Sequence, residues 1–159
     1  KPAQPGLSQR KANIHGVKVM LCIWRDQKGV LYYELLKSGQ TITSDLYRTQ
    51  LIRLKRAIAE KRSEYATRHE AIIFQHDNAR PHVGRAVKNY LENIEWEVLI
   101  HSPYSPNLAL SDYHLFLSLC KTLSLGYALL QNSVLDLFLA SKPEQFFWRG
   151  VYMLRETGP

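Results

Sequence analysis

The chain has 159 residues, 45% of them hydrophobic and 22% charged, with a net charge of +7 from 21 Lys and Arg against 14 Asp and Glu. That length allows one domain with a real core, and that composition excludes a disordered chain. No apolar run approaches the roughly 20 residues of a membrane span, no basic-then-apolar leader is present, and Cys22 and Cys120 stand in no metal or redox spacing. The expectation is therefore an intracellular protein with two reduced thiols and no membrane partner. The basic balance favours a polyanion, because each phosphate contact releases a counterion. A basic protein without such a partner is the alternative that composition leaves open. The first residue is Lys1 and not Met, so a piece of a longer protein is expected.

Residues 1–16, KPAQPGLSQRKANIHG, carry two prolines, two glycines and four basic residues and read as an extended arm. VKVMLCIW, 17–24, is a strand by its β-branched and aromatic content. RDQKG, 25–29, is a turn in which Gly29 can take a left-handed conformation. VLYYELL, 30–36, is the return strand of a hairpin. A long helix follows, capped by Thr43 or Ser44 with Asp45 in its first turn. Tyr47, Leu51, Leu54 and Ile58 form its apolar stripe. Its many basic residues read as a solvated face, with a DNA-facing role open for a few.

AIIFQ, 71–75, is a short continuous apolar strand of the kind covered on both faces. The next helix is expected to open near Pro81, with Val83, Val87, Tyr90, Leu91 and Ile94 on its buried side. WEVLI, 96–100, is another strand. A proline-bearing loop from His101 then leads into a helix for which Ser111 is the expected cap. The order β-β-α-β-α-β-α indicates an α/β domain with a mixed sheet.

Asp77 follows a buried strand and Asp112 opens a helix after the next one, with 34 residues, 78–111, between them. Carboxylates from a strand end and a neighbouring helix start can converge on divalent ions for phosphoryl transfer. Spacing alone equally allows a strand terminator and a helix-start acid. The six histidines include no i, i+4 helical pair and have no cysteine pair to join them, which argues against zinc. His76 and His114 flank the two aspartates and are candidate supporting groups, although ordinary packing accounts for them as well. No Gly-rich phosphate loop and no G-x-S-x-G elbow occurs.

HDNARPH (76–82) and YSPNLALSDYHLF (104–116) resemble the two signature blocks of the mariner transposases, and the 34-residue spacing is similar to the second half of that family's DD34D pattern. VMLCIWRDQKGVLYYELL (19–36) and EQFFWRGVYML (144–154) are similar too. The resemblance implies an α/β, RNase H-like fold, a mixed sheet flanked by helices, here truncated and lacking the first central strand. It divides the chain into a clamp-loop remnant (1–16), a partial catalytic core (17–119) and a divergent C-terminal helical tail (120–159). It implies metal-dependent DNA cleavage and strand transfer in intact relatives. Asp77 would be the second and Asp112 the third carboxylate around Mg²⁺ or Mn²⁺, with His76 and Asn78 as supporting groups. DNA as partner, a homodimer and a nuclear location follow from the same resemblance.

The family's first aspartate would lie on a strand upstream of Lys1. Asp26, in a hairpin turn, and Asp45, at a helix start, are not expected to replace it, so the chain alone is expected to be inactive. Asn107 and Leu110 stand where the family usually has an acid and a proline, and from about Leu117 to Leu139 the similarity lapses. The family's helix-turn-helix region is absent from these residues. The rival reading is a non-catalytic nucleic-acid-binding remnant. The same domain also occurs fused to a SET methyltransferase, but no SET-type signature appears in this sequence.

Overall fold

The computed structural model describes residues 19–66, 72–99, 110–122 and 131–156. The expected arm at 1–16 and the loop from His101 lie outside them.

Strands β1 (Leu21–Arg25) and β2 (Val30–Leu35) form an antiparallel hairpin. Its turn is built by Asp26, whose Oδ1 accepts the backbone N–H groups of Lys28 and Gly29 at 2.8 and 2.9 Å. Gly29 has φ +145°, a backbone region that a Cβ disfavours. The pairing shifts between Trp24 and Arg25, which leaves Leu31 as the extra residue of a bulge. A bulge sets two successive residues against one, and Leu31 and Tyr32 accordingly both pack toward the same core.

That core lies under α1 (Ser44–Lys61), which short α2 (Ser63–Ala66) follows. Thr43 caps α1 by accepting the Leu46 N–H at 3.2 Å. The stripe Tyr47, Leu51, Leu54 and Ile58 is buried as its spacing predicts. Gln50, also on this face, is fully buried, and its amide has no hydrogen-bond partner among the described residues. Leu31, Phe74, Val87, Leu91 and Trp96 complete the cluster. Each such side chain contributes about 1.5–3 kcal/mol on burial.

Strand β3 (Ile73–Gln75), helix α3 (Arg85–Asn93) and strand β4 (Glu97–Leu99) form a parallel β-α-β unit. Helix α3 ends in a Schellman motif. Trp96 N–H bonds Leu91 O at 3.4 Å, Glu95 N–H bonds Glu92 O at 3.2 Å, and Glu95 takes φ 57°. The apolar contact that accompanies this motif is that of Leu91 and Trp96, both in the core.

Two expectations need correction here. The strand at 71–75 is not covered on both faces among the described residues: Phe74 is buried while Ile73 is 63% exposed. Helix α3 begins at Arg85 and not near Pro81. Gly84 is its N-cap residue, and without a Cβ it comes close to Ser44 at the start of α1. The chain finishes its turn before it reaches that contact, and Val83 stays partly exposed.

The antiparallel and parallel pairs of the expected mixed sheet stand as two two-stranded sheets. On the other face of the hairpin, Leu21, Ile23, Val30, Tyr33 and Leu35 meet a second core. It is made by Leu115 and Leu119 of α4 (Leu110–Thr122), Leu135 and Phe138 of α5 (Asn132–Ala140) and Phe147 of α6 (Glu144–Glu156). Tyr33 donates to Asp136 Oδ1 at 2.7 Å and ties α5 to β2. Helix α4 starts at Leu110, one residue before the expected cap Ser111. The hairpin is thus the middle of a helix–sheet–helix sandwich. Among the described residues no helix is long and apolar enough to cross a membrane.

Candidate active site

β3 delivers Asp77 two residues past its carboxyl end, the end at which open α/β sheets present their ligands. The turn that follows is organised by the aspartate itself. Asp77 Oδ1 accepts the Ala79 N–H at 3.1 Å, and Ala79 O in turn accepts the N–H groups of His82 and Val83 at 2.8 and 3.2 Å. Pro81, its φ fixed by its ring, lies inside this turn. The turn returns the His82 imidazole onto Asp77, where Nδ1 bonds the same Oδ1.

Tyr47 of α1 supports this pair from below. Its ring stacks on His82 with centroids 4.0 Å apart, and its hydroxyl lies 3.1 Å from His76 Nδ1. His76 packs against Phe74 at 5.2 Å. A core side chain therefore fixes two imidazoles beside one carboxylate.

The Asp77 side chain is 60% exposed. Partial burial raises its pKa, but the Ala79 N–H and the His82 ring outweigh that and hold the carboxyl below the usual range. Asp77 is thus an anion at neutral pH, with Oδ1 engaged and Oδ2 carrying no hydrogen bond among the described residues. That is the chemistry of a carboxylate able to accept a cation.

Asp112 lies in the first turn of α4, and its side chain is outside the described structure. Asp26 is committed elsewhere: Arg62 Nε reaches its Oδ2 at 2.7 Å, Arg62 Nη2 its Oδ1 at 3.1 Å, and Tyr65 donates to Oδ2 at 3.1 Å. Asp45 is exposed in the first turn of α1. His114 packs its ring on Phe146 of α6 at 4.4 Å, and its Nε2 is buried without a partner among the described residues. This contact with Phe146 accords with the ordinary packing that the sequence also allowed for it. Among the described residues no cluster of three or more His, Cys, Asp or Glu side chains is poised for a metal. Two contributors escaped the sequence reading, His82 as the direct partner of Asp77 and Tyr47 as its platform. The signal for His82 was its place just after Pro81, in the turn that Asp77 opens.

A hairpin and a β-α-β unit under α1, helices on the opposite face and a carboxylate just beyond β3 together define an RNase H-like domain. A family model described as transposase (partial DDE domain) matches residues 1–68. The mariner Mos1 transposase of Drosophila mauritiana is 49% identical over 164 residues, covering 98% of this chain and 46% of that protein. The crystal structure of the Mos1 catalytic domain superposes with a TM-score of 0.81 at 48% identity, covering 90% of this chain and 72% of that one. The Mos1 mariner paired end complex with Mn superposes with a TM-score of 0.83 at 48% identity, covering 98% of this chain and 46% of that one. The chain belongs to the mariner transposase family and is a partial catalytic domain of it. It spans about half the length of the Mos1 transposase.

Proposed function

We propose that the chain serves metal-dependent DNA cleavage and strand transfer as part of a transposase catalytic domain, with Asp77 and Asp112 as its metal-holding carboxylates. The observation that carries this reading is Asp77, held by one oxygen just past the carboxyl end of β3. Carboxylate oxygens suit the hard cations Mg²⁺ and Mn²⁺, and a partly solvated aspartate with one oxygen unbonded among the described residues fits such a group. When bound, the ions supply activation of the attacking oxygen and stabilisation of the leaving one. The chain's own residues do the positioning. His82 and the Ala79 N–H fix the orientation of Asp77, and Tyr47 keeps His82 in place. His76 and Asn78 are supporting groups.

DNA is the partner in this reading, which the +7 charge supports. A homodimer and a nuclear location go with it. The division into an arm (1–16), a partial core (17–119) and a helical tail (120–159) belongs to the same proposal. The test is Mn²⁺ binding followed by electron paramagnetic resonance. Binding that weakens on the order of tenfold in both Asp77→Asn and Asp112→Asn, as removal of a direct ligand entails, supports the assignment. Wild-type binding in both variants contradicts it.

A second reading, a nucleic-acid-binding module without catalysis, is supported by the net charge of +7. Labelled duplex DNA separates the two. Cleavage that needs Mn²⁺ and disappears in Asp77→Ala assigns catalysis to this chain by itself. Salt-dependent retention without cleavage assigns the binding reading.

A further inference from the structure

Helices α1 and α3 pack side by side, and their outer faces leave an open groove of about 490 Å³. Arg48 of α1 lines it on one side, and Arg85, Asn89, Tyr90 and Asn93 of α3 on the other. Positions 85, 89 and 93 are successive i, i+4 neighbours. They form a ladder along the helix with rungs about 6 Å apart. The close contact of Gly84 with Ser44 brings the first turns of the two helices together, so both arginines stand at the same end of the groove. Helix α3 has no acidic residue in its first turn and no side-chain cap.

The fold does not consume these cations. Arg53 and Arg62 are paired with Glu34 and Asp26, whereas among the described residues Arg48 and Arg85 have no ion-pair partner. Among the described residues no carboxylate lines the groove. Arg56 adds to the field, since it lies close enough to Tyr90 to favour ionisation of its phenol against the effect of burial. The groove begins beside the turn that follows Asp77 and runs along α3 away from it.

We propose that this groove is a nucleic-acid contact separate from the carboxylate site, holding a DNA phosphodiester backbone. Two unpaired guanidiniums followed by two amides suit a row of phosphates better than a single anion. The lining offers no long apolar side chain to enter a lipid surface, so a membrane is the poorer fit. Contacts of this kind position DNA without reading its sequence. The proposal rests on the reading of DNA as partner but not on its metal, and binding here proceeds in the presence of a chelator.

The experiment measures retention of a labelled DNA duplex by the full chain, in EDTA, across a salt series. Wild type is compared with Arg48→Gln/Arg85→Gln, with Asn89→Asp/Asn93→Asp, and with a control, Lys37→Gln/Lys121→Gln, which removes the same charge from exposed positions elsewhere. Each lost phosphate contact lowers the slope of log K against log salt by about 0.9. The arginine pair is expected to lose roughly 2 in slope and on the order of tenfold in affinity at low salt. The aspartate pair is expected to weaken binding, and the control to keep the wild-type slope. Equal losses in the arginine and control pairs would reduce the effect to net charge and overturn the proposal. So would wild-type retention in both groove variants, or a wild type that retains phosphatidylserine vesicles but no DNA. Competition by inorganic phosphate at equal phosphate concentration, as effective as unlabelled DNA, would mark a single-anion site and overturn it too. Loss of Mn²⁺ binding in Asp77→Asn leaves the groove result unchanged, so the two readings fail separately.

Discussion

Tyr47 stacks on His82 with ring centroids 4.0 Å apart, and His82 holds the carboxylate of Asp77. The same tyrosine is 3% exposed and belongs to the core beneath α1. Core stability and carboxylate orientation therefore meet in one side chain. Tyr47→Ala is expected to cost about 3–5 kcal/mol, the range for emptying an aromatic core position. Tyr47→Phe keeps the ring and loses the hydroxyl's hydrogen bonds with His76 and the Trp24 indole, for about 1 kcal/mol each. Urea unfolding of the two variants checks this; equal losses would mean that the ring does not support the core.

Asp26 and Arg62 lock the hairpin turn to the end of α1, with side chains only 14% and 15% exposed. Burial by itself raises the Asp26 pKa, but the Arg62 guanidinium, the Lys28 N–H and the Tyr65 hydroxyl outweigh it and the net shift is downward. The folded pKa thus lies below the unfolded value of about 3.9. The resulting stability is fully present above about pH 4 and is lost as pH falls through the folded pKa. Asp26→Asn strands a largely buried guanidinium and is expected to cost about 3 kcal/mol at neutral pH. It should also flatten the acid limb of a stability–pH profile. An unchanged acid limb in the variant would contradict the linkage.

Gln50 is a fully buried amide with no partner among the described residues. A buried polar group left unbonded costs about 1–3 kcal/mol. Gln50→Met keeps the volume and removes the polar atoms, so a gain of about 1 kcal/mol or more is expected. A loss of stability in thermal or urea unfolding would show that the amide has a partner.

Glu95 occupies the left-handed position of the Schellman motif at φ 57°, where glycine is the usual residue. Relief of the Cβ clash, worth about 1–2 kcal/mol, exceeds the entropy that glycine adds to the unfolded chain, about 0.4–1 kcal/mol. Glu95→Gly is expected to raise the unfolding midpoint slightly, and a clear fall would contradict this reading of the turn.

Much of this architecture is written in local pattern. The α1 stripe was legible because four apolar positions keep one helical period over a long helix with a side-chain cap at Thr43. The hairpin was legible from its β-branched and aromatic runs around Gly29. The start of α3 was not, because Pro81 is acceptable at a helix start, while a turn closed on Ala79 O by the His82 and Val83 N–H groups carries the chain on to the N-cap Gly84. Ile73 looked like a buried residue by type, but what covers a strand depends on distant elements. At the site, Asp77 could be singled out as a carboxylate following an apolar strand, yet spacing alone did not choose between a ligand and a strand terminator. Resemblance to a family supplied the role proposed for Asp112. For the His82 bond to Asp77 the one signal was its place just after Pro81, and the bond itself arises only once the turn at Ala79 closes.

The central claim is that Asp77 and Asp112 meet at one divalent ion. Paramagnetic broadening by substoichiometric Mn²⁺ in the ¹⁵N-labelled chain tests it most directly. The account predicts that the amide signals of Asp77, Ala79 and Asp112 broaden together, and that Asp77→Asn abolishes the effect at all three. Broadening at Asp77 with an unaffected Asp112, or no selective broadening at either, would contradict it.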